Sequence, residues 1–430
     1  MRLLPTTALS LVLAAVSVGM VVPSAAMAAK EDKKADAGPK LSPSKAFMAS
    51  AQEIQKLIAA SDFAGAKTKI AESEATATKP DDKFYLGNFM LTVGLNLKDE
   101  GMQRKGLETM LDSGLAAPAD AAKYHFFVGQ FALNAKDYPG ARTHLLAAAQ
   151  AGYGGPSPEV FVAETYFNEA QNQITNNQFS PAGKALVAQG LPHLKKAIEL
   201  QAASGAPVDP SWYNRGFKMA GFAKDPSFPE WAKLTLAKAG TTDNWRFALR
   251  GLQDDNPNMS RDENLDILRL MAASKSLQNA YSYNEYAEAA WRVGLPGEVK
   301  SVIERGRTSG EVDKTALDDL YKLATAAVPK DQASLPASEK AAAAAATGKP
   351  AAGTGNAFMS YGDYAKAATL YRLALQKGGV DADEVNTRLG IALARSGDKA
   401  GALEAFGKVN GPLRRKIADL WSVWVNAPTA

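Results

Sequence analysis

GNAFMSYGDYAKAATLYRLA, residues 355–374, returns 35 residues later as GIALARSGDKAGALEAFGKV, residues 390–409. Gly355, Phe358, Gly362, Asp363, Ala367 and Tyr371 align with Gly390, Leu393, Gly397, Asp398, Ala402 and Phe406. A fixed period in this range marks a chain of stacked helical hairpins, in which each unit buries its apolar face on the next. The spacing has a physical cause. Gly129, Gly355 and Gly390 let a first helix approach its partner closely, and Ala141, Ala367 and Ala402 do the same from the second helix. Tyr371 and Phe406 fill the space one turn further on. The strings SDFAGA (61–66), KDYPGA (136–141), GDYAKA (362–367) and GDKAGA (397–402) place an Asp four residues before the packing Ala. Asp62, Asp137, Asp363 and Asp398 are thereby positioned to cap the second helix of each hairpin. Their repetition points to capping rather than to metal binding or catalysis.

The spacing resembles the tetratricopeptide repeat, W-x3-G-x2-Y-x8-A-x3-F-x2-A. Gly355-x2-Phe358-x8-Ala367-x3-Tyr371-x2-Ala374 fits its five middle positions, and Gly390-x2-Leu393-x8-Ala402-x3-Phe406-x2-Val409 fits with conservative changes. Weaker copies begin at Gly129, Ala287 and Ile54. The leading Trp position holds Ala351, Asn386, His125, Tyr283 and Ser50, and the closing Pro is missing throughout. The resemblance implies an all-α, right-handed α-solenoid of about eight to ten hairpins. It also implies a non-enzymatic scaffold that holds a protein or peptide partner on the concave face built by first helices. On the clearest repeats the candidate partner-binding residues are Asn356, Arg388 and Arg395, whose side chains suit a peptide backbone or a terminal carboxylate. Gln130 and Asn134 correspond to them in the repeat at 121–152.

The N-terminal sequence carries an address. Ala8 to Val22 is apolar but for Ser10, Ser17 and Gly19, and Pro23 and Ala26-Met27-Ala28 follow, as in a signal peptide cleaved after Ala28. The expected location is the periplasm of a Gram-negative bacterium, or outside the cell. After cleavage no integral membrane segment is expected, because the run is shorter than the roughly 20 residues of a spanning helix. The chain has no Cys, which removes disulfides, thiol nucleophiles and thiolate metal sites. With 49 Lys and Arg against 45 Asp and Glu, the charge balance offers no footprint for nucleic acid. No cofactor is called for. Of three histidines, His125 and His144 fall on different helices of one hairpin and His193 in another, and no H-E-x-x-H, G-x-S-x-G or P-loop string occurs. No enzymatic activity is expected.

The expected organisation is a signal peptide (1–28), a disordered spacer (29–45), an irregular hairpin array (46–330), an Ala-rich segment (331–353) and a hairpin pair with a capping helix (354–430). Pro336 and Gly348-Lys349-Pro350 bracket the run Ala341–Ala346, which reads as a short packed helix or as a linker. Ser260 with Glu263 forms a capping box opening a helix. Leu413, Ile417, Leu420, Trp421 and Trp424 have helical spacing and suit a helix closing the solenoid's end. The aromatic stretch from Trp212 to Phe247 has two readings: the core of adjacent hairpins, or a platform for glycan or peptidoglycan.

Overall fold

The computed structural model describes residues 41–427. The expected signal peptide and most of the expected spacer lie outside them. The chain divides into two compact units between Val208 and Asp209. The Ala-rich segment lies inside the second unit.

Unit 1 is four helical hairpins in sequence. Their helices are α1 (Lys45–Ala59) with α2 (Phe63–Ser73), α3 (Pro80–Leu97) with α4 (Glu100–Asp112), α5 (Pro118–Asn134) with α6 (Tyr138–Gln150), and α7 (Ser157–Gln171) with α8 (Pro181–Ala203). Between α7 and α8 sits a minimal β-hairpin, β1 (Ile174–Thr175) and β2 (Gln178–Phe179), paired Ile174 to Phe179 and Thr175 to Gln178. Its two-residue turn, Asn176-Asn177, has positive φ at both positions, the twist that a tight hairpin needs. First helices of neighbouring hairpins meet, α1 on α3 and α5 on α7. They form the inner face of the unit.

The caps behave as the repeated strings require. Asp62, Asp137, Asp363 and Asp398 each accept a hydrogen bond from the backbone N–H three residues on, at 2.8–3.1 Å. Each satisfies a donor that the helix itself leaves open. The residue before each Asp turns left-handed: Ser61, Lys136, Gly362 and Gly397 all have positive φ. Lys98-Asp99 repeats the device, with Asp99 accepting from Met102 N at 3.0 Å. The close approach of helices is equally literal. A Cβ on Gly390 would lie 2.4 Å from the Phe406 ring, and one on Gly129 would lie 2.5 Å from Leu145.

Unit 2 contains α9 (Pro210–Ala223), α10 (Phe228–Ala239), α11 (Thr242–Asp254), α12 (Arg261–Ala273), α13 (Asn279–Arg292) and α14 (Pro296–Ser309). These are followed by α15 (Asp318–Ala344), α16 (Lys349–Ser360), α17 (Tyr364–Lys377), α18 (Ala382–Ser396), α19 (Lys399–Gly407) and α20 (Pro412–Asn426). The capping box at Ser260 and Glu263 opens α12. Helix α15 runs through Pro329 and Pro336, where the sequence suggested a break. Each proline removes one backbone hydrogen bond and frees the carbonyl four residues earlier. Both prolines and the freed positions, Thr325 and Gln332, are solvent-exposed, so water can take those carbonyls. The opposite face stays packed through Ala324, Leu335 and Ala342. Lys377 Nζ donates to the carbonyls of Ala343 and Ala345 and completes the helix end. The Ala-rich run therefore finishes a long packed helix.

Helix α20 caps the array, as its spacing suggests, and then goes further. Trp421 is buried and stacks on Phe406 at 6.4 Å. The helix also packs on α10 and α12, and α18 packs on α12. The last hairpin of unit 2 thus folds back onto its first ones, and the even-numbered helices α10 to α20 share its interior. One consequence is a change of phase. The weak repeat beginning at Ala287 makes α13 a first helix, yet α14 is the one that meets α16 on the inner side.

Candidate functional site

Two surfaces can receive a ligand: the inner face of unit 1 and the interior of unit 2. In unit 1, the inward side of α3 carries Asn88, Thr92 and Asn96 at four-residue spacing, and that of α5 carries Gln130 and Asn134. Core packing takes the other sides of these helices through Phe84, Leu91, Phe127, Val128 and Ala132. Asn134 and Asn96 are exposed and Gln130 is half-buried. This row of amides was only partly visible from sequence, because α3 shows no strong copy of the repeat. The sequence reads 81–111 as one hairpin, and the Lys98-Asp99 echo of Lys136-Asp137 is the signal that brings it into register with the repeat.

Unit 1 also joins two histidines. His125 Nδ1 and His144 Nδ1 lie 2.9 Å apart across α5 and α6, so one ring donates and the other accepts. Burial lowers the proton affinity of both, and for His144 the neighbouring His125 adds to it. His193 instead meets Glu159 at 2.6 Å, and Lys196 holds the other carboxylate oxygen at 2.6 Å. Burial works against the Glu159 charge, but Lys196 and His193 outweigh it and keep its carboxyl below the usual range. The arrangement ties the start of α7 to α8. Among the described residues, no group of three or more His, Asp or Glu converges as a metal site.

The interior of unit 2 is built around a buried carboxylate. Asp266 on α12 is fully buried and accepts from Arg269 at 2.8 Å and from Arg414 of α20 at 2.5 Å. Arg388 of α18 stands 3.5 Å from the same carboxylate. Burial alone would raise the Asp266 pKa, but Arg388, Arg414 and Arg269 together hold it below the ordinary value. Arg269 also grips Glu298 with two parallel bonds of 2.7–2.8 Å, and Tyr286 donates to Glu298 at 2.6 Å. Trp421 Nε1 donates to the Asp266 carbonyl at 3.2 Å. Removing one partner from such a set leaves the others buried and uncompensated.

This network revises two of the expected site residues. Arg388 is 2% exposed and bonds Asp262, Glu384 and Asn356. Asn356 accepts from both Arg388 and Tyr371. Both hold unit 2 together, because the array closes over positions that an open solenoid would leave in a groove. Arg395 stands differently. It lies over the Tyr364 ring at 5.2 Å and lines a cavity of about 280 Å³.

That cavity is walled by α12 to α18 and by Trp421 of α20. Its charged lining is four cations, Arg269, Lys300, Arg305 and Arg395, against two anions, Glu298 and Glu304. Arg269 is matched by Glu298 and Lys300 by Glu304 at 3.3 Å. Among the described residues, neither Arg305 nor Arg395 meets a carboxylate.

Most of the aromatic stretch is core, with Trp212 half-buried and Phe222 exposed. Trp231 and Trp245 are 4% and 3% exposed, and Phe217 stacks on Phe228 at 5.4 Å. A Cβ on Gly216 would collide with the Trp231 ring. With Trp231 and Trp245 buried, the glycan platform is unsupported.

The hairpins, their caps and their small-residue contacts define an all-α helical-repeat protein with a tetratricopeptide-like fold. No family model matches the chain, and no curated protein matches it. Among solved structures it is similar to a chain of "Structure of Naa15/Naa10 bound to HypK-THB", at 14% identity and a TM-score of 0.25, over 84% of this chain and 63% of that one. It thus spans just under two thirds of that neighbour's length. A second similar structure is the P58(IPK) TPR domain, at 12% identity and a TM-score of 0.23, over 81% of this chain and 98% of that one. At these values the likenesses carry no functional argument, and the class rests on the hairpins themselves. Among the described residues, no helix is long and apolar enough to cross a membrane.

Proposed function

We propose that this protein is a non-enzymatic, exported scaffold that holds an extended segment of a partner protein on the inner face of unit 1. The observation that carries the reading is the polar row Asn88, Thr92, Asn96, Gln130 and Asn134, half-buried or exposed on the first helices α3 and α5. Amide side chains donate and accept at once, so they can satisfy both groups of a peptide backbone without reading its sequence. Backbone recognition suits a scaffold whose net charge is close to zero. The leader at residues 1–28 supports a periplasmic or secreted location, and N-terminal sequencing of the mature protein should then begin at Ala29.

Crosslinking in the native compartment with mass spectrometry tests the function. The expected result is a protein partner joined to α3 and α5, with its yield reduced several-fold in a Gln130→Ala, Asn134→Ala double variant. Crosslinks no more frequent on these helices than elsewhere would contradict the assignment.

A further inference from the structure

We infer that the half-open cavity of unit 2 lined by α12 to α18 is a binding site for a small organic oxyanion carrying two negative groups. Three observations converge. The first is closure. Helix α20 packs on α10 and α12, and Trp421 forms part of the cavity wall. An extended chain running along the inner side of unit 2 would have to pass through the position of α20. The second is size. About 280 Å³ lies at the low end of small-molecule pockets and suits a compact metabolite.

The third observation is charge. In unit 2 the buried guanidinium groups of Arg269, Arg388 and Arg414 all have carboxylate partners. Arg305 and Arg395 break that pattern at the cavity. Arg395 lies over the Tyr364 ring at 5.2 Å, a cation–π contact that does not use its N–H donors. Arg305 projects from α14, on the same wall as Ser301. A planar guanidinium binds carboxylate or phosphate oxygens with paired, charge-assisted hydrogen bonds. Two such groups around one small cavity match two negative groups on one molecule. Glu298 and Glu304 do not cancel them, because Arg269, Tyr286 and Lys300 already engage those carboxylates.

Isothermal titration of the full mature chain tests the site with four probes: succinate, glycerol phosphate, the neutral isostere succinamide, and an acidic heptapeptide. Saturable binding of succinate or glycerol phosphate with Kd below about 1 mM is expected, and the tighter of the two identifies carboxylate or phosphate as the preferred group. Succinamide should not bind. Arg305→Gln or Arg395→Gln should each weaken binding roughly tenfold or more, the loss of one charge-assisted contact. Arg305 is exposed, so its variant folds irrespective of the site's role, and Arg395→Lys should recover part of the affinity by restoring charge without the fork. The assignment is overturned if neither anion saturates below about 10 mM, if succinamide binds as well as succinate, or if both Gln variants bind like the parent. It is equally overturned if the heptapeptide binds and succinate does not displace it, which would give the cavity to a partner's tail.

Discussion

Unit 1 and unit 2 use the same hairpin and end differently. In unit 1 the first helices form an inner face with amides on it, and the charged pairs sit at its margins, as with Arg104 on Glu108 and Asp137. In unit 2 the corresponding side is filled by the unit's own last helices, and charge lies in its centre, where Asp266 meets three arginines. An open array keeps its groove for another molecule. A closed one keeps only the small space that its own side chains leave. The difference is made by few residues: one helix, α20, and the ion network that fastens it.

The two units can be followed separately, because all six tryptophans, Trp212, Trp231, Trp245, Trp291, Trp421 and Trp424, belong to unit 2. The largest effect should come from the network. Asp266→Ala removes the carboxylate that Arg269, Arg388 and Arg414 share and takes from Arg414 its one close partner, and a loss of about 3–5 kcal/mol is expected for breaking such a buried set. Urea unfolding followed by Trp fluorescence should show it, while the circular-dichroism transition of unit 1 stays in place. Coincident shifts of both transitions would mean that the units do not unfold independently.

Next in size are the close-approach glycines. Gly390→Ala meets the flat, confined Phe406 ring, and about 1–3 kcal/mol of overpacking is expected. Gly129→Ala meets the more adaptable Leu145 and should cost less, so the same substitution read in both units ranks their rigidity.

The histidine pair gives unit 1 a pH dependence just below neutrality, and unit 2 contains no histidine. His125 and His144 have folded pKa values below the ordinary 6.5, so the unfolded chain takes up protons first as pH falls. The pair's contribution to stability is therefore complete above about pH 6.5 and is lost as pH falls through the lowered folded values. The groups facing the pair are Arg104, Glu108 and Asp112 of α4 and Asp137 at the start of α6. His125→Asn should flatten the acid limb of the unit 1 urea midpoint and leave the Trp-detected midpoint unchanged. An acid limb that persists in this variant would assign it to other groups.

The smallest effect concerns the turns. Lys136 holds a left-handed conformation before its capping Asp, where unit 2 has Gly362 and Gly397. Lys136→Gly should stabilise unit 1 by up to about 1 kcal/mol, and Gly362→Lys should take a similar amount from unit 2.

How much of this could be read in the sequence follows from the range of each interaction. The Asp caps were legible, since Asp62, Asp137, Asp363 and Asp398 act on N–H groups three residues away. Gly355 and Gly390 were legible as well, since each meets an aromatic 16 residues further on in its own hairpin. Closure was not. Asp266 and Arg414 are 148 residues apart, and no period links them. For that reason Arg388 read as a surface residue and proved to be an internal one. Pro336 misled in another way: a proline breaks a helix only where its lost hydrogen bond cannot be replaced, and on α15 that carbonyl faces solvent. Arg395, read as a residue of a peptide groove, lines a cavity of a closed unit.

Helix α20 converts an open hairpin array into a closed one. Hydrogen exchange on the full chain and on a chain ending at residue 411 tests it most directly. If α20 fastens unit 2, its removal should speed exchange in α12 around Asp266–Met271 and in α10, while α3 and α5 keep their protection. Unchanged protection in α10 and α12 after truncation would contradict the account.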